Sequence, residues 1–480
     1  MSTRDIYTYE RPRFGRPALS RRGVLRAAGA AASLAALGGI AGRRGPAARA
    51  AARQDAAAGQ VLTDQLGREY LAYPETSGTI EFSNCWGGSR IPLIEQWVTD
   101  FRAVYPNIEV RSSLADCPAL RDQQVAAIAG GAPPNVLQVK SDATAFFAEQ
   151  GALRAIDDLM ARDGIDAEWF YPSEFQSRTW EGQTYGLPNV TAGALHLLFV
   201  NTKLLQQLDM DPAQPVATWQ DLEALVEPAK AQNLFVLDPA KVSVGMTGHM
   251  VFTYANGGRY WDDDLTKVLW NEPPAVEAAQ WMVDFVKAQA GSYENLAIAS
   301  DRQNVIATED WATEKYVAMI NLSSQFFQLA ERAPTLEYAT YTFPRNADNA
   351  ESEGRTPITG GWMFSIAAAG ADQEAAWEWI KFTTVSKHAC SFTKAQVRPS
   401  PLIACNADPE LAAGNPFWSV VLDDLAGNVA APTPPTQPEF LQLWYDMEDA
   451  LLFEEGSPQE VLDRFAEEGQ RMLDDYNASA

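Results

Sequence analysis

Residues 126–159 read AAIAGGAPPNVLQVKSDATAFFAEQGALRAIDDL, and this stretch contains the features that decide the fold. A helical pattern over residues 120–128 ends at Gly130 and Gly131, and two prolines follow. Residues 136–139, which read VLQV, are then a short and mostly apolar strand candidate. The order of helix, glycine-rich turn and strand predicts one unit of an α/β fold.

The residues before this stretch repeat the same order. Residues 79–84 alternate like a strand, and residues 91–104 carry apolar side chains at helical spacing until Pro106 ends the pattern. Residues 108–111 are a second strand candidate. Strands that alternate with helices at this interval predict parallel pairing with right-handed crossovers.

The residues after it continue the alternation of strands and helices. Thr218 is a candidate N-cap, and prolines between residues 432 and 438 predict an extended crossing. The predicted strands are residues 194–200 and 316–320, and the predicted helices are residues 219–230, 276–288, 374–385 and 440–453.

Charge is unevenly distributed along the chain. The 480 residues carry a formal net charge of -25, while residues 1–53 hold 11 Arg against Asp5 and Glu10, a balance of 11 − 2 = +9. The remaining 427 residues therefore carry −25 − 9 = −34. An acidic body of this kind repels phosphate backbones, so we expect no nucleic-acid partner.

The basic head has the order of an export signal. Arg21 and Arg22 precede an apolar run over residues 27–41, which is too short to span a bilayer comfortably. An Ala-Arg-Ala sequence at residues 48–50 follows as a candidate cleavage site. The paired arginines before a weakly apolar core predict a twin-arginine leader over residues 1–53 and a location in the periplasm or outside the cell. A disordered tail and a permanent membrane anchor are the alternatives.

Four cysteines fit an exported protein, because disulfides form in oxidising compartments. Cys85 with Cys117, and Cys390 with Cys405, are the favoured pairs because each pair is close in sequence. Three pairings are possible. A zinc site is the alternative, but the wide spacing and only three His argue against it.

Several stretches together resemble one family. FRAVYPNIEV at residues 101–110, the block at residues 126–159 and GQTYGLPNVTAGALHLLFVN at residues 182–201 occur in the family's order, followed by residues 360–382 and by Arg398-Pro399. The mature chain is similar to the family 1 extracellular solute-binding proteins, the sugar-type, maltose-binding-protein-like receptors of ABC importers. Each motif is weak alone, but five in order carry the resemblance across most of residues 78–470.

The resemblance implies an α/β fold of two lobes, of the type II periplasmic-binding-protein kind, joined by hinge strands around a ligand cleft. Lobe one is expected over residues 78–198 and 362–399. Lobe two is expected over residues 199–361 and 400–480. Residues 54–77 are polar and rich in Ala and Gln, so we expect a flexible segment there.

Candidate ligand-binding residues in lobe one lie at strand ends, where open α/β sheets place ligands. Asn84 and Trp86 follow the first strand, although core packing is an alternative for Trp86. Asp142 follows the third strand, where a carboxylate suits a sugar hydroxyl, and a helix N-cap is its alternative. The resemblance also places Gly361 and Trp362 on a hinge strand that faces the cleft.

Aromatic faces and fixed polar groups are what a sugar cleft requires. By resemblance, Trp444 belongs to an aromatic pair after the proline crossing, although a helical core stripe is equally consistent. Asn321 ends a strand before a ligand loop, and Trp311 is a weaker candidate, as is Trp261. Arg398 either binds hydroxyls or braces the third hinge. The Trp that the family usually carries soon after Asn321 is absent, which argues against a maltodextrin stack.

Catalytic signatures are missing from the sequence. None of the spacings GxSxG, HExxH or the P-loop occurs, and His196 lies in an apolar strand run that suggests a core histidine. The three consecutive Asp at residues 262–264 lack EF-hand spacing. We therefore expect no enzyme, no cofactor and no metal.

The sequence thus predicts an exported, monomeric receptor that captures a neutral solute, most simply a mono- or oligosaccharide, and delivers it to an ABC permease. Hinge closure, and not chemistry, is the expected mechanism. A receptor for a different solute, such as a polyamine, a phosphodiester or ferric ion, is the alternative within the binding class. A secreted glycosidase is the alternative among enzymes, because acidic residues are too abundant to exclude a catalytic pair by counting.

Overall fold

A computed structural model describes residues 59–190, 196–242, 246–299, 314–323, 325–358 and 361–479. The strands, numbered in chain order, are β1 Gln60–Thr63, β2 Glu69–Ala72, β3 Gly78–Asn84, β4 Ile108–Leu114, β5 Val136–Lys140, β6 Thr179–Trp180, β7 Gln183–Thr184, β8 Leu187–Val190, β9 Leu197–Asn201, β10 Ala318–Asn321, β11 Tyr338–Tyr341, β12 Pro357–Ile358, β13 Trp362–Ile366 and β14 Val429–Ala430.

The α-helices of the described residues are numbered in the same way. They are α1 Ile91–Val104, α2 Leu120–Ala129, α3 Thr144–Glu149, α4 Asp157–Asp163, α5 Pro172–Gln176, α6 Thr202–Gln207, α7 Trp219–Ala224, α8 Val226–Ala231, α9 Gly248–Ala255, α10 Pro273–Ala290, α11 Tyr293–Ala299, α12 Gln325–Arg332, α13 Gln373–Thr384, α14 Lys387–Ala395, α15 Ile403–Asn406, α16 Pro409–Gly414, α17 Trp418–Gly427, α18 Gln437–Leu452 and α19 Pro458–Ser479.

Lobe one is built on a five-stranded sheet of order β4-β3-β5-β13-β8. Strand β3 pairs in parallel with β4 and β5, which confirms the predicted parallel pairing. Strand β13 returns from the distant part of the chain and pairs antiparallel with β5 and β8. Residues 136–139 are all buried, in keeping with a run in which three of the four residues are apolar.

The helices of lobe one cover the sheet with the faces that the sequence pattern indicates. Helix α1 buries Ile94, Trp97 and Phe101 and ends before Pro106, as predicted. Helix α13 is buried over nearly its whole length and packs against β13 and β8. This explains why its sequence is aromatic on more than one face.

Lobe two holds a three-stranded antiparallel sheet of order β10-β9-β11, surrounded by helices that include α9, α10, α18 and α19. The single helix predicted over residues 219–230 is two short helices, α7 and α8. Pro228 has no N–H to bond the carbonyl of Ala224, so one continuous helix is not possible there. Thr218 caps α7 as predicted, and Asp221 completes a capping box.

Two main hydrophobic cores, one in each lobe, divide the described chain. Leu402, Ala404 and Cys405 pack in the core of lobe one, so this lobe extends a few residues beyond the expected boundary at residue 399. The bridge between Phe170 and Leu402 holds this segment against lobe one. The short strands β12 and β14 pair with each other in parallel.

The segment expected to be flexible is ordered over residues 60–72. Strands β1 and β2 form a hairpin that buries Tyr70 and Ala72 in the core of lobe one. The Lys381 ammonium donates to the Leu71 carbonyl at 2.6 Å. The polar and Ala-rich composition did not reveal this hairpin, because its order comes from tertiary contacts and not from local pattern.

Both favoured disulfides are present, Cys85–Cys117 and Cys390–Cys405. Each ties together elements of lobe one, β3 with the turn before α2, and α14 with α15. None of the helices over the described residues has both the length and the hydropathy that crossing a bilayer requires.

Candidate functional site

Three of the predicted residues meet at the edge of lobe one where β5 ends. Strand β5 ends at Lys140, and the 3-10 turn Ser141–Ala143 follows it. The Ser141 N–H donates to the Gly361 carbonyl at 2.9 Å, and Trp362 pairs with Lys140 across the sheet. Asp142 therefore lies on the turn that is joined to Gly361 and Trp362.

Asp142 has a side chain that is 12% exposed, and its carboxylate lies 3.3 Å from the Lys140 ammonium. It does not cap either of the helical segments that follow β5, so the N-cap alternative is not what positions it. A carboxylate so placed at the carboxyl end of a central strand is suited to accept a hydrogen bond from a solute.

A buried ion pair lies directly behind Gly361. Arg178 Nη2 and Glu174 Oε2 are 3.1 Å apart, and both side chains are fully buried. A Cβ at Gly361 would collide with Arg178 Nη2, so only glycine fits at this position. Burial raises the pKa of Glu174, and the Arg178 charge opposes that rise. The ion pair thus fixes the backbone from which Trp362 extends.

Asn84 and Trp86 follow β3 at the same edge of the sheet, but both are buried. The Asn84 amide donates to Ser112 Oγ at 2.8 Å, and its oxygen accepts the Trp86 N–H at 3.1 Å. The Trp86 ring packs against Phe392 with centroids 4.5 Å apart and against Phe364 at 5.6 Å. These contacts favour the core-packing alternative for Trp86, and Asn84 positions the turn that holds it.

Arg398 also lies in lobe one and is 2% exposed. Its Nη1 donates to the Gln396 side-chain oxygen at 3.2 Å. The preceding residue, Val397, has a φ of 49°, a left-handed conformation that is unfavourable for a β-branched residue. The backbone at this third crossing is therefore held in a strained conformation that directs Arg398 inward.

Lobe two contributes a small aromatic pocket with a cavity volume of about 10 Å³. Its walls come from four separated parts of the chain. They are Met250 and Tyr254 of α9, Tyr260 and Trp261, the extended residues Ala431, Pro432 and Thr433, and Trp444 of α18.

Trp444 is both a core residue and a wall of this pocket. Its ring lies 5.7 Å from Tyr260 and 6.2 Å from Trp261, between centroids. Among the described residues, Trp444 Nε1 has no hydrogen-bond partner although it is buried. A buried donor without a partner costs about 1–3 kcal/mol, which a hydroxyl of a bound solute would recover.

A buried histidine, His249, orients the hydroxyl of the pocket residue Tyr260. His249 Nδ1 lies 2.6 Å from the Tyr260 hydroxyl, and its Nε2 lies 3.0 Å from the Ala275 carbonyl. Burial lowers the pKa of His249 to about 4, so the ring is neutral at pH 7. Nε2–H therefore donates to the carbonyl, and Nδ1 accepts from Tyr260, which fixes the orientation of that phenol.

The two halves of the site meet at one contact. Helix α18, which carries Trp444, packs against the 3-10 turn that carries Asp142. Through this helix, lobe two packs against the strand ends of lobe one.

The other predicted residues have different places. Asn321 ends β10 and is buried, and its side-chain oxygen accepts the Leu322 N–H at 2.8 Å. It is not among the residues that line the pocket. Trp311 lies outside the described residues. Burial lowers the pKa of His196 to about 4, in agreement with a neutral core histidine.

Sequence reasoning missed most of the pocket wall. Met250, Tyr254 and Tyr260 were not candidates, and Trp261 was only a weak one. Helix α9 offered the available signal for this pocket. All eight of its residues are buried, as in a helix that is enclosed on every side. No group of three or more His, Cys, Asp and Glu is placed to hold a metal ion within the described ranges.

Comparisons with known proteins agree with this architecture. The family model for bacterial extracellular solute-binding proteins matches residues 87–387. The sn-glycerol-3-phosphate-binding periplasmic protein UgpB of Escherichia coli O1:K1 / APEC is 22% identical over 327 residues, which cover 64% of this chain and 70% of that protein.

Two solved structures share the two-lobe fold. The sugar-binding protein MalE from Xanthomonas citri has a TM-score of 0.71 at 16% identity, covering 83% of this chain and 98% of its own. UgpB from Mycobacterium tuberculosis, in complex with glycerophosphocholine, has a TM-score of 0.69 at 18% identity, covering 84% and 100%. With the family match over residues 87–387, this chain belongs to the bacterial extracellular solute-binding proteins, a family of binding proteins.

Proposed function

We propose that this chain is an exported substrate-binding protein of an ABC importer, which captures a carbohydrate-type solute between its lobes and delivers it to a membrane permease. The aromatic pocket at the lobe junction is the observation that carries the proposal. Aromatic rings suit the apolar face of a polyhydroxylated solute, and the Trp444 donor and the Asp142 carboxylate suit its hydroxyls.

Relatives support this class of ligand. MalE from Xanthomonas citri is a sugar-binding protein, and the Escherichia coli UgpB proteins bind sn-glycerol 3-phosphate. Both kinds of solute are small and rich in oxygen. We extend this class of solute, and a permease partner, to this chain.

Export is part of the same proposal. The twin-arginine pattern of residues 1–53 lies outside the described residues and supports a cleavable leader. Two disulfides are consistent with an oxidising compartment outside the cytoplasm. We propose that the mature protein acts in the periplasm or at the cell exterior, as a monomer and without catalysis.

Calorimetric titration of the protein with a panel of sugars, polyols and their phosphate esters tests this function. We expect one class to bind and to be recovered unchanged, since a receptor releases its solute while a glycosidase cleaves it. Trp444→Phe keeps an aromatic ring but removes the Nε1 donor, so affinity should fall at least about fivefold, as for a lost hydrogen bond of about 1 kcal/mol. Trp86→Phe is the matched control in the core of lobe one and should leave affinity unchanged.

Three results would contradict the proposal. The first is turnover of a bound saccharide. The second is that no solute of the panel binds. The third is that Trp86→Phe weakens binding while Trp444→Phe does not. The melting temperature of each variant shows whether a loss of affinity reflects a loss of folding.

A further inference from the structure

Two arginines converge on one neutral acceptor at the edge of lobe one. Arg90 Nε donates to Gln396 Oε1 at 3.1 Å, and Arg398 Nη1 donates to the same oxygen at 3.2 Å. Gln396 is 3% exposed, and its Nε2 donates to the Phe392 carbonyl at 3.0 Å. The amide is thus fixed with its oxygen towards both cations.

No carboxylate compensates these two charges within the described part of the chain. Arg398 is 2% exposed and makes no ion pair there, and its Nε has no hydrogen-bond partner. Arg90 is half-buried and also makes no ion pair among those residues. Burial lowers the pKa of Arg398, and the neighbouring Arg90 charge lowers it further. Buried cations are ordinarily paired, because an uncompensated one is strongly unfavourable.

The pair lies where an anion is favoured for other reasons. Arg90 ends the 3-10 turn Gly88–Arg90 and precedes the first turn of α1, a helix of 14 residues. The N-terminus of a helix attracts negative charge through its dipole and free N–H groups. This turn follows β3, the strand that is parallel to β5, so Arg90 and Asp142 lie at the same edge of the sheet.

We propose that Arg90 and Arg398 bind an anionic group of the transported solute, a phosphate ester, so that the solute is a phosphorylated polyol or sugar and not a neutral one. This inference rests on the proposed receptor function and deepens it. Two guanidinium groups that reach Gln396 from separate segments suit a tetrahedral group with several oxygens, and charge-assisted hydrogen bonds of this kind are strong. The aromatic pocket of lobe two would hold the uncharged part.

The test is a calorimetric titration of the full chain with matched pairs of solutes, glycerol against glycerol 3-phosphate and glucose against glucose 1-phosphate. Glucuronate tests for a carboxylate in place of a phosphate, and inorganic phosphate serves as competitor. We expect a phosphorylated member to bind at least tenfold more tightly than its neutral partner. We also expect its affinity to fall with salt and inorganic phosphate to compete.

Three variants assign the effect to the arginine pair. Arg398→Gln and Arg90→Gln should each weaken the phosphorylated solute at least tenfold and change the neutral solute less than twofold. Arg102→Gln removes the same charge from an exposed position on the same helix α1, and it should change neither affinity. If Arg398→Gln does not fold, as its melting curve would show, the half-buried Arg90→Gln carries the assignment.

The outcomes separate the anion site from the receptor function. If neutral solutes bind as tightly as phosphorylated ones, or glucuronate binds more tightly than both phosphates, the phosphate assignment is overturned while the receptor function stands. Affinity for the phosphorylated solute that is unchanged in both arginine variants overturns the site. If no member of either pair binds, this inference is overturned, and failure of the wider sugar panel would overturn the receptor function as well.

Discussion

Gly361 offers a sharp test of how the hinge strand is held, because a single methyl group should disturb the buried ion pair behind it. In Gly361→Ala, the added Cβ collides with Arg178 Nη2 and lies 3.1 Å from both Glu174 Oε2 and the Val190 carbonyl oxygen. The carbonyl belongs to strand β8 and cannot move alone. The guanidinium is therefore the group that must shift.

The magnitude follows from what that shift would cost. Overpacking a filled interior costs about 1–3 kcal/mol, and breaking a buried ion pair costs about 3–5 kcal/mol when one charge is left uncompensated. Because the pair is displaced and not deleted, we expect Gly361→Ala to lower the free energy of unfolding by about 2–4 kcal/mol. Total stabilities of about 5–15 kcal/mol make such a loss easy to measure.

Urea unfolding followed by tryptophan fluorescence measures this loss, with Gly87→Ala as the matched control. Gly87 lies in the same lobe with a φ of −84°, and its Cβ would meet only Leu114 Cδ2 at 3.8 Å. Gly87→Ala should therefore change stability by less than about 0.5 kcal/mol.

Making Gly361→Ala in a chain that also carries Arg178→Lys tests whether the Arg178 guanidinium causes the loss. Arg178→Lys keeps the positive charge but removes Nη2, so Gly361→Ala should cost at least about 1 kcal/mol less there than in the natural chain. The reasoning fails if Gly361→Ala is as stable as the natural protein. It also fails if Arg178→Lys does not reduce the cost, or if Gly87→Ala is equally harmful.

Two further predictions concern stability. Burial raises the pKa of Asp424 to about 7, so ionising it disfavours the folded state and stability should fall as pH rises from about 4 to 7. Asp424→Asn should therefore raise the melting temperature at pH 8 but not at pH 4, and a larger gain at pH 4 would contradict this. The bridges Cys85–Cys117 and Cys390–Cys405 close loops with sequence separations of 32 and 15, so replacing either pair by Ser should cost about 3–4 kcal/mol in the chain-entropy model. Urea unfolding of each double Ser variant measures this cost, and a loss below about 1 kcal/mol for both would refute it.

The fold of lobe one was largely predictable because its elements are local and strongly patterned. Helix α1 has the bounds that its apolar spacing predicts, and the strand at residues 136–139 follows from a short, mostly apolar run after Pro133 and Pro134. The hairpin β1–β2 was not predictable in this way. Its order depends on Tyr70 and Ala72 entering the core of lobe one, to which distant parts of the chain contribute, and on Lys381, which bonds the Leu71 carbonyl.

The same difference between local sequence patterns and long-range packing applies to the site. Asp142 and Trp362 were predicted because a strand end is visible in the sequence, and the sheet then places two strand ends side by side. The pocket of lobe two has no comparable local signal. It joins α9, Trp261 and Trp444 from segments about 180 residues apart, and only the packing of lobe two brings them together.

Trp86 and Trp444 illustrate why tryptophans alone do not reveal a cleft. Both are almost completely buried, and both pack against other aromatic rings. What distinguishes them is the surroundings. Trp86 lies within the core of lobe one, whereas Trp444 borders empty space and keeps a donor without a partner among the described residues.

The same contact that assembles the site also explains how a solute would drive closure. Helix α18 meets the Asp142 turn across the junction, so a solute that touches Trp444 and Asp142 together gains both contacts only when the lobes are close. The solute then binds the closed form more tightly than an open form, because opening would remove some of its contacts. A difference in affinity of this kind is what shifts the population, and a solute that contacted one lobe alone would shift nothing.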